Sequence, residues 1–252
     1  MRFPTSKASL PKKSLENPRD APPARKLQTT QNLTFSLVHL AKPTTQKEPA
    51  PLLLMLHGYG ANEYDLIGLA DALDSRFTVV SARAPLSLGN GGYAWFPIAF
   101  TDEGIKVLDA KPAIQSRNLI LRFLDEVVAH YRIDPKRIFL MGFSQGSAMA
   151  YSIALTEPRR LAGMVAMSGR LPDEKLLRIA PPEQLKGFPI FVSHGVYDDI
   201  LPIQNGRDSE ARLRELQIDL TYKEYPMGHQ VSAECLSDIS RWLSEKLNHA
   251  HD

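Results

Sequence analysis

Arg137-Ile-Phe-Leu-Met-Gly-Phe-Ser-Gln-Gly-Ser-Ala-Met-Ala-Tyr151 carries the clearest structural signal in this sequence. Its continuous apolar run at residues 138–141 is typical of a strand that is buried on both faces. A Gly-x-Ser-x-Gly pattern follows at residues 142–146, and small and apolar residues then continue to Leu155. This order predicts a strand, a sharp turn and a helix, with Ser144 strained at the turn and its hydroxyl exposed. A glycine-rich turn capped by serine would give the same local pattern. Residues elsewhere in the chain that could act together with Ser144 must therefore decide whether this serine has a chemical role.

Composition limits the classes of protein to consider. The chain has 252 residues, of which 43% are hydrophobic and 23% charged, as expected for a soluble globular protein with one or at most two domains. The net charge of +2 is too small to indicate binding to nucleic acid or to an anionic membrane surface.

The first 30 residues differ from the rest of the chain. They hold seven Lys or Arg, two Asp or Glu and five Pro, which leaves a net charge of −3 for residues 31–252. Such a segment buries too little apolar surface to offset its ordering entropy. We therefore predict a flexible basic, proline-rich tail at residues 1–32, followed by one catalytic domain at residues 33–249. A targeting peptide, a tag and an over-long start are all compatible with this tail.

Cysteine usage and hydropathy indicate the compartment. Cys235 is the only cysteine, so neither an internal disulfide nor a cysteine-based zinc cluster can form. The sequence contains no run of about 18 apolar residues, so no transmembrane helix is predicted, and the N-terminus lacks the apolar core of a secretory signal. We therefore predict a cytoplasmic protein without stable membrane insertion.

Strands and helices alternate along the chain. Apolar runs predict strands at residues 34–40, 52–56, 77–81, 138–141, 161–167, 189–193 and 219–225. Helical spacing predicts helices at residues 63–73, 112–131, 145–156, 204–216 and 231–247. This alternation indicates an α/β fold, with a mostly parallel central sheet and helices on both faces.

The polar residues that follow the strands would meet at one edge of that sheet. They are His57-Gly58, Ser144, Ser168, His194-Gly195 and His229. In sheets of this kind ligands bind at the carboxyl ends of the strands, so this edge is the predicted site.

A serine hydroxyl needs a base to accept its proton, and the base needs a carboxylate to fix its tautomer. In hydrolases built on this sheet the chain order is Ser, then Asp or Glu, then His. His229 lies in a loop after the last predicted strand. The other six histidines do not fit the position of the base: His249 and His251 lie at the C-terminal end, His39 near the end of the first strand, His130 within a helix, and His57 and His194 upstream. His229 is therefore the predicted base for Ser144.

Two adjacent carboxylates, Asp198 and Asp199, follow the strand at residues 189–193. Their side chains should point in different directions, and only one of them can meet the histidine. The residues themselves leave the choice between the two open.

Two backbone N–H groups should stabilise the developing oxyanion. One belongs to Gln145, the residue after the nucleophile, at the N-terminus of the predicted helix. The other should come from the loop His57-Gly58-Tyr59-Gly60, where Tyr59 is the predicted donor, although a plain glycine turn would explain the same residues.

Residues 86–111 form a long connection that is rich in glycine and aromatic residues. Long excursions of this kind often cover a site, so we predict that this one is a binding loop or lid. Four residues are predicted to wall an apolar acyl site, although each fits a core position equally well: Trp95, Phe96, Ile98 and Phe100.

An ordered set of short motifs resembles the phospholipase/carboxylesterase family of α/β-hydrolases, which includes the acyl-protein thioesterases. The motifs are Leu56-His-Gly-Tyr-Gly60, Ala82-Arg-Ala-Pro85, Tyr93-Ala-Trp-Phe96, Gly142-Phe-Ser-Gln-Gly146, Ser168-Gly169, His194-Gly-Val-Tyr-Asp198 and Gly228-His229. The resemblance covers roughly residues 33–247 and implies a single-domain α/β-hydrolase fold. It implies a triad of Ser144, Asp198 and His229, with Tyr59 and Gln145 as backbone donors, and so favours Asp198 over Asp199.

The resemblance implies a serine carboxylesterase that hydrolyses short- to medium-chain esters and needs no metal or organic cofactor. Trp95-Phe96-Pro97 is more similar to the general esterase branch than to the protein-thioesterase branch, and Tyr59 stands where the family often has a short aliphatic residue. An acyl-protein or acyl-carrier thioesterase or lysophospholipase is the alternative, and a hydrolase-fold binding protein without catalysis is a further one. We expect a small-molecule ester as the partner, no nucleic acid, and a monomer or homodimer.

Overall fold

The protein is described by a computed structural model that covers residues 28–29, 35–46, 49–101, 104–107, 109–172 and 178–249. The strands are β1 (Gln28–Thr29), β2 (His39–Lys42), β3 (Ala50–Leu56), β4 (Thr78–Ala82), β5 (Leu86–Gly89), β6 (Gly92–Ala94), β7 (Ile98–Thr101), β8 (Gly104–Val107), β9 (Ile133–Phe143), β10 (Gly163–Met167), β11 (Pro189–Gly195) and β12 (Asp219–Tyr225). The helices are α1 (Tyr64–Ile67), α2 (Ala110–His130), α3 (Gln145–Thr156), α4 (Pro182–Leu185), α5 (Gln204–Glu215) and α6 (Ala233–His249), with short 3-10 helices at Gly68–Ala72 and Pro158–Arg160.

The central sheet has the strand order β1-β2-β4-β3-β9-β10-β11-β12. Neighbouring strands from β4 to β12 are parallel, whereas β1 and β2 are added antiparallel at one edge. Apart from Gln28–Thr29, the predicted tail at residues 1–32 lies outside the described residues, so the boundary of the domain stays a prediction.

Successive residues of the central strands point to opposite faces of the sheet, as the period of two requires. Leu52, Leu54 and Leu56 of β3 join one core cluster, which also contains residues of α2 and α3. Leu53 and Met55 join the other cluster, which contains residues of α1 and α6. Helices therefore cover both faces, which confirms the predicted fold class.

The first strand differs from its prediction at residues 34–40, because β2 begins only at His39. The N–H of Ser36 donates to Glu126 Oε2 of α2 at 2.6 Å instead of to a neighbouring strand. At Ser36 a hydrogen bond to helix α2 thus replaces the strand pairing that was predicted for residues 34–40.

Strand β9 is longer than its prediction at residues 138–141, since it already begins at Ile133. Ile133 pairs with Ala50, and the register shifts before the next pair, Leu52 with Ile138. The irregularity accommodates Pro135, which has no N–H to give to a regular ladder.

The long connection at residues 86–111 is more regular than the sequence suggested. It contains two antiparallel hairpins, β5 with β6 and β7 with β8. Its last two residues already belong to α2, which begins at Ala110, two residues before the predicted start.

Candidate active site

Ser144 lies between the end of β9 and the start of α3, with φ 52° and ψ −114°. A positive φ is strained for a residue with a side chain. The N–H of Ser144 donates to Met167 O of β10 at 2.9 Å, which ties the turn to the neighbouring strand. The strand-to-helix turn predicted from the sequence therefore exists, and Ser144 occupies its strained position.

Two glycines allow this turn to form. A Cβ atom added to Gly142 would lie 2.4 Å from Gly146 O, and one added to Gly146 would lie 2.0 Å from Leu56 O. Both contacts are with backbone, which cannot rotate away as a side chain can. The two glycines are therefore required by close approach of the backbone.

His229 lies in the loop after β12, and its ring reaches Ser144 across the sheet edge. Nε2 of His229 is 2.9 Å from Ser144 Oγ, and the ring lies beside Phe143 with centroids 5.0 Å apart. A Cβ added to Gly195 would lie 2.2 Å from Met227 O. The absence of a side chain at Gly195 thus lets the loop that carries His229 approach the end of β11.

Asp198 completes the chain of hydrogen bonds. Its Oδ2 accepts from Nδ1 of His229 at 2.8 Å, and its Oδ1 accepts from the backbone N–H groups of Ile200 and Leu201 at 3.0 and 2.8 Å. Asp198 is buried, whereas Asp199 is exposed. The structure thus brings Asp198 to the histidine and turns Asp199 to solvent.

His194 supports the loop that carries Asp198, a role that the sequence did not predict. Its buried ring donates from Nε2 to Leu201 O at 2.7 Å, and the same nitrogen lies 3.5 Å from Asp198 Oδ2. The position of a histidine directly after an apolar strand was the only hint of this role in the sequence, and nothing there identified Leu201 as its partner.

His57 supports the other side of the site in a similar way. Its Nδ1 lies 2.7 Å from Gly58 O, and its Nε2 accepts from the N–H of Ala84 at 3.0 Å. Burial lowers the pKa of His57 to about 4, so the ring is neutral near pH 7. His57 was predicted only as a loop residue.

Tyr59 is half-buried in the loop after β3. The next residue of this loop is held by hairpin β5–β6, since Gly60 N donates to Tyr93 O and Tyr93 N donates to Ala61 O, both at 2.9 Å. These two bonds connect the loop that carries the predicted oxyanion donor to the excursion that begins at Leu86.

An ion pair between the half-buried Arg83 and the buried Glu63 lies behind the same loop. Nε of Arg83 donates to Glu63 Oε2 at 2.6 Å, and the guanidinium stands 4.7 Å from the centre of the Tyr93 ring. Although burial alone would raise the pKa of Glu63, the hydrogen bonds and charge of Arg83 hold it below its ordinary value. The carboxylate is therefore ionised and paired.

Gln145 uses its side chain as well as its place at the start of α3. Its Oε1 accepts from Trp95 N at 2.8 Å, and its Nε2 donates to Phe96 O at 2.7 Å. The sequence predicted a role only for its backbone N–H. The two side-chain bonds fix the segment after β6 against the turn that carries Ser144.

The four predicted acyl-site residues have different environments. Trp95 and Phe96 are buried in the core cluster, and Ile98 is half-buried against it. Phe100 belongs to β7, and its side chain lies outside the described part of the structure. Trp95 and Phe96 thus occupy core positions, and the lining of an acyl site stays a prediction.

Among the described residues, none of the helices has the length and hydrophobicity that a membrane span requires. Within the same residues, no three His, Cys, Asp or Glu side chains form a group that could hold a metal ion.

Comparisons with known proteins extend these observations. A family model described as phospholipase/carboxylesterase matches residues 41–247. An acyl-protein thioesterase 1 of Kluyveromyces lactis is 31% identical over 226 residues, which cover 83% of this chain and 98% of that protein. A rice protein named as a probable inactive carboxylesterase is 28% identical over 225 residues, covering 82% of this chain and 89% of its own.

Solved structures agree with this result. The carboxylesterase of Bacillus cereus superposes with a TM-score of 0.73 at 26% identity, covering 83% of this chain and 94% of that one. Since the family model spans most of the chain, the protein belongs to the phospholipase/carboxylesterase family.

Proposed function

We propose that this protein is a serine hydrolase that cleaves carboxylic esters of short to medium acyl chains through an acyl-enzyme at Ser144. The observation that carries the proposal is the continuous hydrogen-bonded chain from Ser144 Oγ through His229 to Asp198, at 2.9 and 2.8 Å. A carboxylate can only accept, so Nδ1 of His229 bears a proton and Nε2 is available as the base. This is the tautomer that general-base catalysis requires.

In the acylation step, Ser144 Oγ attacks the ester carbonyl carbon while Nε2 of His229 takes the hydroxyl proton. The carbonyl π electrons move to oxygen, and the resulting oxyanion would accept hydrogen bonds from the backbone N–H groups of Tyr59 and Gln145. When the tetrahedral intermediate collapses, the bond to the alcohol breaks and His229 gives its proton to the leaving oxygen. Asp198 stabilises the imidazolium that exists between these two transfers.

In the deacylation step, His229 removes a proton from water, and the hydroxide oxygen attacks the acyl carbon of the Ser144 ester. Collapse of the second intermediate returns the proton to Ser144 Oγ and releases the carboxylic acid. The overall reaction consumes one water and forms one acid and one alcohol.

Activity on p-nitrophenyl esters of increasing chain length tests the proposal. We expect turnover of the shorter esters and covalent labelling of Ser144 by a fluorophosphonate probe. Ser144→Ala should lose both turnover and labelling, while an unchanged rate in this variant would refute a nucleophilic role for Ser144.

A thioesterase is the second candidate, and one observation favours it. The relative from Kluyveromyces lactis is named acyl-protein thioesterase 1 and aligns over 98% of its length. The rates on a short p-nitrophenyl ester and on a long-chain acyl thioester distinguish the two candidates. A dominant rate on the thioester would move the assignment to acyl-protein or acyl-carrier thioesters, or to lysophospholipids if these were also cleaved.

A binding protein without catalysis is the third candidate, because one rice relative is named as probably inactive. The hydrogen bonds among Ser144, His229 and Asp198 argue against it here, since ligand binding alone has no need of a polarised serine. The labelling experiment with Ser144→Ala decides this question as well.

The cellular setting is part of the proposal. We place the enzyme in the cytoplasm, as a monomer or homodimer acting on a small-molecule ester. Fractionation and light scattering test the location and the oligomeric state.

A further inference from the structure

The hydrogen bonds of His57 determine which ring nitrogen carries the proton. Ala84 N–H can only donate, so Nε2 of His57 accepts that bond through its lone pair. The single ring proton therefore lies on Nδ1 and is donated to Gly58 O at 2.7 Å. Burial also lowers the pKa of His57 to about 4, so the ring is neutral and carries a single proton.

The acceptor of this bond belongs to the peptide unit that joins Gly58 to Tyr59. A trans peptide is planar, with its C=O and N–H pointing in opposite directions. A hydrogen bond that fixes the direction of Gly58 O consequently fixes the direction of Tyr59 N–H. Gly58 O also accepts from the N–H of Ala61 at 3.3 Å within the same loop. Because glycine at position 58 has a wide range of backbone angles, the shorter bond from the His57 ring adds a needed restraint on this peptide.

The histidine ring is itself held firmly. The residue is fully buried, and Trp95 Nε1 donates to its carbonyl oxygen at 2.9 Å. The rings of His57 and Trp95 lie with their centroids 5.5 Å apart. Together with the bond from Ala84 N–H, these contacts leave the ring little freedom to rotate.

The space around Gly58 places the same peptide beside the nucleophile. A Cβ atom added to Gly58 would lie 3.4 Å from Ser144 Cβ and 3.2 Å from the Phe143 ring. The backbone restrained by His57 therefore passes directly alongside the residue that would form the tetrahedral intermediate.

We propose that His57 is a positioning residue, whose Nδ1–H orients the Gly58–Tyr59 peptide so that Tyr59 N–H points at the oxyanion. This inference rests on the proposed esterase function, in which Tyr59 supplies one of the two backbone donors. It assigns a role to a histidine that takes no part in proton transfer with the substrate.

Two substitutions separate the two hydrogen bonds of the ring. The amide of Asn branches from the same Cγ that carries Nδ1, so His57→Asn can still donate to Gly58 O but loses the acceptor for Ala84 N–H. The amide of Gln reaches the position of Nε2, so His57→Gln keeps an acceptor for Ala84 and loses the donor to Gly58. Because both variants replace a buried ring with a smaller amide, each is the matched control for the other.

Turnover of a p-nitrophenyl ester is the first measurement, with the active molecules counted by fluorophosphonate titration of Ser144. We expect kcat of His57→Gln to fall by about 10²-fold with little change in KM, since a misplaced donor weakens an interaction made in the transition state. The kcat of His57→Asn should stay at least about tenfold above that of His57→Gln.

The ratio of rates on an ester and on its matched thionoester is the second measurement. The thionoester carries sulfur in place of the carbonyl oxygen, and sulfur accepts hydrogen bonds weakly, so the ratio reports on the donors themselves. It should fall in His57→Gln and persist in His57→Asn. A role for His57 in packing alone would change the ratio equally in both variants.

The outcomes separate this inference from the proposed function. Equal losses of kcat in the two variants, with the same rate ratio, would overturn the positioning role and leave the esterase assignment intact. Wild-type protein with neither turnover nor labelling of Ser144 would overturn both. If neither variant folds, a hydrogen-bond scalar coupling between Nδ1–H of His57 and the carbonyl carbon of Gly58 is expected in the wild type. A ring protonated at Nε2 instead would overturn the inference.

Discussion

Oδ2 of Asp198 lies 2.8 Å from Nδ1 of His229, whereas the adjacent Asp199 points to solvent. The difference arises in the loop after β11. There Oδ1 of Asp198 accepts from the N–H groups of Ile200 and Leu201, which holds its side chain inward. Two neighbouring residues of identical chemistry thus have separate environments.

The first prediction concerns this pair of carboxylates. Asp198→Asn should lower kcat by about 10⁴-fold, because an amide can donate to Nδ1 and so favour the wrong tautomer of His229. Asp199→Asn is the matched control and should leave kcat close to that of the wild type. Steady-state turnover of a p-nitrophenyl ester measures both, and comparable losses would show that Asp198 has no special role.

The second prediction concerns the turn at Ser144. Gly146→Ala would place a Cβ atom 2.0 Å from Leu56 O, so we expect it to destabilise the fold by about 3 kcal/mol or more. Gly68→Ala is the control: it has φ −62° and no atom within 4 Å of an added Cβ, and should stabilise by about 0.4–1 kcal/mol. Urea unfolding monitored by tryptophan fluorescence gives both values. Wild-type stability in Gly146→Ala would contradict the packing described for the turn.

The third prediction concerns the side chain of Gln145. Gln145→Ala leaves Trp95 N and Phe96 O without their partner in a buried position, and each such group costs about 1–3 kcal/mol. We expect a decrease of about 2–4 kcal/mol in the free energy of unfolding. Gln204→Ala, at an exposed position, should change it by less than about 0.5 kcal/mol. If the two variants were equally stable, the bonds from Gln145 would contribute nothing.

The fourth prediction concerns the dependence of stability on pH. The pKa of His57 is about 4 in the folded protein and 6.5 in the unfolded chain, so between these values the unfolded state binds more protons. The contribution of His57 is present in full above pH 6.5 and is lost as the pH falls towards 4. It amounts to about 3 kcal/mol at about 1.4 kcal/mol for each pKa unit.

Unfolding free energies of the wild type and His57→Asn at pH 7, 6 and 5 test this contribution. The wild type should lose stability more steeply than the variant on acidification. Burial raises the pKa of Asp65 to about 6, which acts in the opposite direction. Since both proteins retain Asp65, its effect cancels in the comparison, and parallel curves would contradict the prediction for His57.

Local pattern was sufficient for the elements with strong sequence signals. The predicted bounds of α3 and β12 agree with the structure, because turn residues and apolar periodicity mark both ends of each element. The prediction was wrong for the start of β2, where Ser36 bonds to Glu126 of α2. It was also wrong for the start of β9, where an irregular pairing with β3 accommodates Pro135. Both errors come from contacts with distant parts of the chain.

The residues alone were enough to predict the class of the fold, the strand-to-helix turn at Ser144 and the order of the candidate serine, acid and histidine. Each of these depends on residue type and on spacing along the chain, which can be read directly. That Asp198 and not Asp199 meets His229, and that the buried rings of His57 and His194 restrain two loops, could be seen only in the folded protein. The direction of a side chain in a loop is set by hydrogen bonds to residues that come close to it only after the sheet has assembled.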